Sequence, residues 1–306
     1  MTSGGLATFV VRRLAAAMAL VAVVSVGALL LVRLAPGDAT TDLVLAHVDE
    51  ATIARTRARL GLDRPFLVEL GDWLAGVAHL DLGESSAFGR PVADLVGERV
   101  LKTAELASLA LVLAVALGLP LGVLTGSRPG GLFASCVAPI SIGILSCPPI
   151  VGAFGLMLLA LGTGWLSIAP GDPVVPALAL ALPLAATIER VQSQATAEVL
   201  AAPGAGAAAA RGLPPWRLLW VHAARQAVRP LLGVAGVIVG TLFSGSLAVE
   251  WVTSWPGLGR LLYDGIVGRD PFLVAGCALS GAVLIAAANL AGDLARGLAD
   301  PRVRVS

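Results

Sequence analysis

Charged side chains are scarce in this chain: Asp, Glu, Lys and Arg make up 13% of its 306 residues, about half of the roughly 25% found in soluble domains. That shortage excludes a water-facing globule, and a mean hydropathy of +0.88 places the chain in a membrane. The net charge of +1 supplies no basic field that would attract nucleic acid. Lysine is nearly missing. Lys102 is the only one, and it stands in Arg99-Val100-Leu101-Lys102-Thr103 without the glycines that cradle a phosphate, so no nucleotide-binding loop is present. Cys136, Cys147 and Cys277 all fall in apolar stretches, where a thiol acts as a small buried hydrophobe. His47, His79 and His222 sit in separate loops and form no metal set. No His-Glu-x-x-His or Gly-x-Ser-x-Gly pattern supports an intramembrane protease.

What is present is apolar sequence in lengths that cross a hydrocarbon core of about 30 Å. Six spans are predicted, at 14–32, 104–125, 133–161, 174–188, 231–249 and 272–290. Pro139 and Pro148-Pro149 interrupt the third and leave its path open; the fourth is short and holds Pro176 and Pro183. The first has the Arg-Arg start of a signal peptide, but its apolar run is too long and Arg33-Leu34-Ala35-Pro36-Gly37-Asp38 is no small-residue cleavage site, so it reads as an anchor. Arg12, Arg13, Arg128, Arg211, Arg217, Arg225 and Arg229 mark the loops expected inside, which leaves both termini cytoplasmic.

The polar region after the first span reads as an ordered external cap. It has helical spacing over 49–60, and a second helix over 65–80 directs Phe66, Leu70, Trp73, Leu74 and Val77 to one side. Gly118, Gly122 and Gly126, and likewise Gly236 and Gly240, recur every fourth residue, a spacing that lets helices approach closely. Intramembrane charge is sparse: Glu189 and Arg190 end the fourth span, Glu250 the fifth, and Asp293 follows the sixth. No acidic residue lies deep enough to suggest a proton-driven carrier.

The connection over 192–230 is too long for a simple turn. Residues 205–211 are expected to be helical, Gly212-Leu213-Pro214-Pro215 to break that helix, and 216–228 to restart it with Arg217, His222, Arg225 and Arg229 on one arc. From the residues alone, an interfacial helix touching lipid phosphates accounts for this segment as well as a docking element does.

Several motifs in order narrow the choice. They are Arg12-Arg13, Arg33-Leu34-Ala35-Pro36-Gly37-Asp38, Leu60-Gly61-Leu62-Asp63-Arg64-Pro65, Trp73-Leu74 and Asp81-Leu82-Gly83-Glu84-Ser85, followed by Arg99, Thr103 and Leu106. Then come Ala210-Arg211-Gly212-Leu213-Pro214, His222-Ala223, Pro230, Gly245-Ser246, Glu250, Pro256-Gly257-Leu258-Gly259, Arg269-Asp270 and Asp300-Pro301. Together they resemble the permease subunits of oligopeptide, dipeptide and nickel ABC importers over nearly the whole chain.

The resemblance implies an all-α membrane protein of six transmembrane helices with the type I ABC importer permease fold. It divides the chain into a first helix at 1–33, an extracytoplasmic insertion at 34–100, a permease domain at 101–298 and a cytoplasmic tail at 299–306. A coupling loop at about 198–215 would engage an ATPase through Ala207, Ala208, Arg211, Gly212, Leu213 and Pro214, with Arg217 and His222 following. Here the sequence departs from the family, because Ala-Gly-Ala-Ala-Ala-Ala at 205–210 replaces a basic, hydroxyl-bearing helix. Docking is therefore expected to rest on shape and on the arginines.

Pro148, Pro149, Gly245, Ser246 and Glu250 become pathway or gating candidates, and Pro256, Gly257, Gly259, Arg269 and Asp270 an external motif. The implied partners are a second permease, two ATPases carrying ATP and Mg, an extracytoplasmic substrate-binding protein and membrane lipid, with no nucleic acid. The chain itself is expected to bind no cofactor or metal and to catalyse no bond chemistry. Peptide is the expected cargo, with nickel or another small solute as the alternative. An ATP-independent carrier and a membrane scaffold are the competing classes.

Overall fold

The computed structural model describes residues 3–35, 40–41, 48–59 and 64–299. The predicted turn at Pro36-Gly37-Asp38, His47, residues 60–63 of the motif at 60–65, and residues 300–306 of the tail with Asp300-Pro301 lie outside them. The helices in chain order are α1 (Ser3–Leu34), α2 (Glu50–Arg59), α3 (Phe66–Ala78), α4 (Val92–Ser127), α5 (Leu132–Leu145), α6 (Pro149–Thr163) and α7 (Val174–Ala201). They continue with α8 (Pro203–Ala210), α9 (Pro215–Arg217), α10 (Ala224–Ala227), α11 (Arg229–Val252), α12 (Leu258–Val267) and α13 (Pro271–Ala299). Among the described residues β structure is limited to one bridge, between Glu84 and Pro91.

Among the described residues, five helices are long and apolar enough to cross a membrane, and the number reaches six if α5 and α6 count as one broken span. That pair is the predicted third span, and its two arms meet at 108°. Pro139 is absorbed inside α5, whereas Pro148-Pro149 stops the helix. Two adjacent residues lack N–H donors there, and each forces its predecessor out of the helical region; Pro148 itself is extended at ψ 142°.

The fourth span differs more from its prediction. It does not end at 188 but runs to Ala201, because Glu189, Gln192 and Thr196, which read as an exit from the bilayer, are buried against other helices. Pro203 then opens a new helix after an extended Ala202. The predicted 216–228 helix is also corrected. It starts at Pro215, passes through a π-helical stretch at Leu218–Ala223 and ends at Ala227, so its arginines do not follow one regular 100° wheel.

The chain divides into two compact units. One comprises Met1–Ala7, Ala104–Trp255 and Ala287–Ser306, with a core of Leu106, Ala110, Ala114, Ala153, Ala177, Ala181, Leu184, Ile188, Val249 and Trp255. So many alanines permit short interhelical distances, which suit a bilayer where packing rather than the hydrophobic effect holds helices together. Gly118, Gly122 and Gly126 all face α7: a Cβ added at Gly122 would lie 2.6 Å from Cβ of Gln192 and 2.7 Å from the carbonyl of Glu189. The second glycine series is a partial correction. Gly236 meets the Asn289 side chain, but Gly240 has nothing within 4 Å, so its spacing serves no packing among the described residues.

The other unit comprises Thr8–Thr103 and Pro256–Ala286. Trp73 is its anchor, 4% exposed, packed with Leu29 and Ala275 and donating its indole N–H to the Leu82 carbonyl at 3.3 Å. Phe66, Leu70 and Val77 join it, but Leu74 is turned outward and 43% exposed, contrary to the predicted face. Leu82, Val92, Leu95, Val96, Leu258, Leu261, Leu273 and Cys277 form the second core of this unit. Of the cysteines, only Cys277 is buried; Cys147 is intermediate and Cys136 exposed, because an apolar stretch does not say which helix face a residue takes.

Candidate functional site

The connection that follows α7 is built as two short arms around a turn. Pro203 supplies a preset φ at the first position of α8, and the alanines that follow are strong helix formers. Gly212 ends the arm at φ +85°, its N–H bonded to the Ala209 carbonyl and that of Leu213 to Ala208, a left-handed turn that a β-branched residue would resist. Pro214 then holds an extended conformation from which α9 begins.

No residue of α8 is fully buried: Ala207 is exposed and Ala208 half-buried, on a helix that touches α7 and the π-helical stretch and leaves its other side open. Arg211, Gly212, Arg217, His222, Arg225 and Arg229 are exposed, with Leu213 and Pro214 intermediate. The Arg217 guanidinium lies over the Trp216 ring, 5.2 Å from its centroid. The segment presents a small-residue helix beside a row of guanidinium groups.

The pathway candidates are partly brought together. Pro149 and Gly245 face each other, since a Cβ added at Gly245 would sit 3.5 Å from Cγ of Pro149 and 3.3 Å from Leu180. Pro148 is exposed. Ser246 is buried and returns its hydroxyl to the Phe243 carbonyl of its own helix at 2.9 Å. Glu250 is fully buried, near the end of α11, and its carbonyl accepts from the N–H of Trp255.

A polar clamp escaped the sequence reading. Glu189 is the sixteenth residue of the 28 in α7, 4% exposed, and its two carboxylate oxygens accept from the Thr125 hydroxyl at 2.7 Å and the Ser141 hydroxyl at 2.9 Å. The expectation that no acid lies inside the bundle is corrected by this residue. The apolar window ends at 188, but the helix and its packing continue. Thr125 and Ser141, hydroxyls set within the apolar stretches of α4 and α5, are the available signal. One carboxylate thus joins α4, α5 and α7, satisfied on both oxygens as a buried acid must be.

In the other unit, Asp270 organises the external motif. It is fully buried; Oδ2 accepts from the Ser85 hydroxyl at 2.6 Å and the Ala87 N–H at 3.1 Å, while Oδ1 caps α13 through the Leu273 N–H at 3.0 Å. Arg269 precedes it at φ +50° and donates to the Thr41 hydroxyl. Trp255-Pro256-Gly257 leads into α12, whose first N–H, on Leu258, has no partner within the helix and is accepted by the hydroxyl of Thr103 at 2.7 Å. Gly259 is buried one residue further on. Arg33 also lies here, 2.6 Å from Glu69. Burial pushes the Glu69 carboxyl above its ordinary value, and the guanidinium draws it back only in part. Among the described residues no group of His, Cys, Asp and Glu could hold a metal ion.

Comparison with known proteins adds an independent line. A family described as "Binding-protein-dependent transport system inner membrane component" matches residues 118–305, and its companion N-terminal family matches residues 6–106. The chain is 32% identical to the probable peptide ABC transporter permease protein y4tP of Sinorhizobium fredii, over 97% of this chain and 99% of that one. It is 30% identical to the dipeptide transport system permease protein DppB of Escherichia coli, over 97% and 98% respectively. Among solved structures, the MetNI methionine ABC transporter in an inward-facing conformation superposes with a TM-score of 0.57 at 22% identity, covering 67% of this chain and 96% of that one.

Proposed function

Because the chain belongs to the family of binding-protein-dependent transport system inner membrane components, we propose that it is the permease subunit of an ATP-driven importer of peptides, working by alternating access. The observation that carries this reading is near-complete colinearity with relatives named for peptide and dipeptide transport. The exposed α8 and its glycine turn fit a docking element for a separate ATPase, which would hold the ATP and Mg that this chain has no loop to bind. A second permease, two ATPases and an extracytoplasmic binding protein complete the assembly.

In this reading α5 and α6 form one broken crossing, giving six spans with both termini cytoplasmic. Residues 34–100 are an external insertion and 101–298 the permease domain. Exposed Arg128, Arg211, Arg217, Arg225 and Arg229 support the cytoplasmic placement of their loops. Pro149 and Gly245, in contact where a broken helix meets α11, are suited to a moving joint in the pathway, since irregular backbone is tolerated in a bilayer only beside protein or a cavity.

The test is uptake into vesicles holding the full assembly. Labelled di- and tripeptides should accumulate only with internal or external ATP available to the ATPases and with the binding protein present. Saturable uptake sustained by a proton gradient after ATP depletion would reject ATP coupling, and uptake of nickel but no peptide would move the cargo to the alternative.

A further inference from the structure

A cleft of about 720 Å³ opens in the first unit, lined by Leu124, Ser127, Arg128, Gly131, Leu132, Phe133, Leu200, Pro215, Leu218 and Leu219. We propose that it binds an anionic phospholipid, with an acyl chain against the leucines and the phosphate on Arg128. The site is distinct from α8, and the proposal rests on the family's membrane location, not on the cargo or the ATPase.

Position is the first argument. The cleft lies where α4 ends, where α5 begins and where α7 completes its last turn, at one end of three apolar helices. That is the depth at which lipid headgroups meet the hydrocarbon. The wall it shares with the π-helical stretch continues into exposed Trp216 and Trp220, 59% and 43% accessible, side chains that favour the membrane interface.

Charge is the second. Arg128 is the only charged residue of the lining, and it is exposed at the rim. No Asp or Glu occurs between Glu105 and Asp172, nor between Glu198 and Glu250, the stretches that supply nearly every wall. Glu198 stands two residues before Leu200 and so projects about 200° away around α7. Arg211, Arg217, Arg225 and Arg229 add positive charge to the same connection. An apolar slot rimmed by guanidinium without a carboxylate selects an amphiphile with a negative head, and basic pockets of this kind between spans hold anionic lipid. Because Pro215, Leu218 and Leu219 form one wall, the lipid would brace the segment that follows the glycine turn.

The experiment is native mass spectrometry of the full-length chain, purified in detergent and exchanged into mixed micelles of phosphatidylglycerol or phosphatidylcholine. The parent should retain phosphatidylglycerol in preference. Arg128→Gln should reduce that retention about fivefold, the order expected for one arginine at an anionic surface, and leave phosphatidylcholine unchanged. Leu132→Glu, at a position 83% exposed and outside the packed core, should have the same effect by repulsion in a variant whose membrane abundance and thermal midpoint match the parent's. Equal retention of the two lipids by the parent, or full phosphatidylglycerol retention by both variants, overturns the proposal. So does finding that, in a lipid-free assembly, a polypeptide partner shields Phe133→Cys from a water-soluble thiol reagent.

Discussion

Asp270 and Ser85, separated by 185 positions in sequence, meet through a 2.6 Å hydrogen bond in a site sealed from solvent. The same carboxylate caps α13, so one side chain fixes both the loop at 85–89 and the start of the last long helix.

Asp270→Ala should therefore destabilise the unit that holds it more than a simple cap deletion would. Losing a helix cap costs about 1 kcal/mol, and each buried donor left without its acceptor adds about 1–3 kcal/mol. A fall of several degrees in the thermal midpoint of the detergent-purified chain is expected, with Asp270→Asn intermediate. An unchanged midpoint for the alanine variant would show the clasp to be incidental.

Gly122→Ala and Gly240→Ala should part company although both glycines belong to four-residue series. At Gly122 the new methyl meets Gln192 and the Glu189 carbonyl at distances that force α4 and α7 apart, a penalty of about 1–3 kcal/mol. At Gly240 nothing lies within 4 Å, and the change should be neutral or stabilise by about 0.5–1 kcal/mol through helix propensity. Detergent melting curves of the isolated chain read both, and equal shifts would contradict the packing described.

That contrast shows what the sequence could and could not reveal. Apolar length marked the long helices, though not where the fourth ends or how the third is bent, and the order of motifs marked the family, because both are written along the chain. Periodicity could not tell Gly122 from Gly240, since a spacing does not say which helix, if any, stands opposite. The same limit hid Leu74 and Cys136, which follow the apolar pattern but face outward. Glu189 was misplaced for a related reason: its hydroxyl partners lie 48 and 64 residues earlier in the chain, and no local signal pairs a carboxylate with hydroxyls that distant. The glycine turn was legible because a breaker between two helix-forming runs is a local event.

Gly212→Val should separate ATP hydrolysis from transport while sparing membrane insertion. An added Cβ finds open space there, so the penalty comes only from φ +85°, about 1–2 kcal/mol, and falls on the turn that aims α8. Membrane abundance and basal ATP hydrolysis by the assembly should stay near normal while uptake, and the stimulation of hydrolysis by substrate, drop severalfold. Normal uptake would reduce Gly212 to a helix terminator.

The Glu69 pair should respond to acid in the opposite sense to a simple ion pair. Its carboxyl titrates above 4.5 when folded because burial outweighs the help of Arg33, so the folded state binds the proton more tightly than the unfolded chain. Its contribution to stability should rise as pH falls through the folded value toward 4.5 and level off below it. Glu69→Gln should remove that component from the pH dependence of the thermal midpoint. A parent whose midpoint shows no difference from the variant between neutral pH and 4.5 would refute the assignment.

The composition of α8 has one more implication. Pro203, Gly204, Ala205, Gly206 and four further alanines offer neither a charge nor a hydroxyl along the exposed helix. Rejecting a wrong partner requires a clash, a stranded charge or an unpaired polar group, and none of these can be written in such an alphabet. If α8 is the docking element proposed above, it is a common fitting that any subunit with a socket of the right width could take, and choosing among them would fall to the arginines beyond the turn. On that reading, one ATPase could serve more than one permease in a cell with several related transport systems.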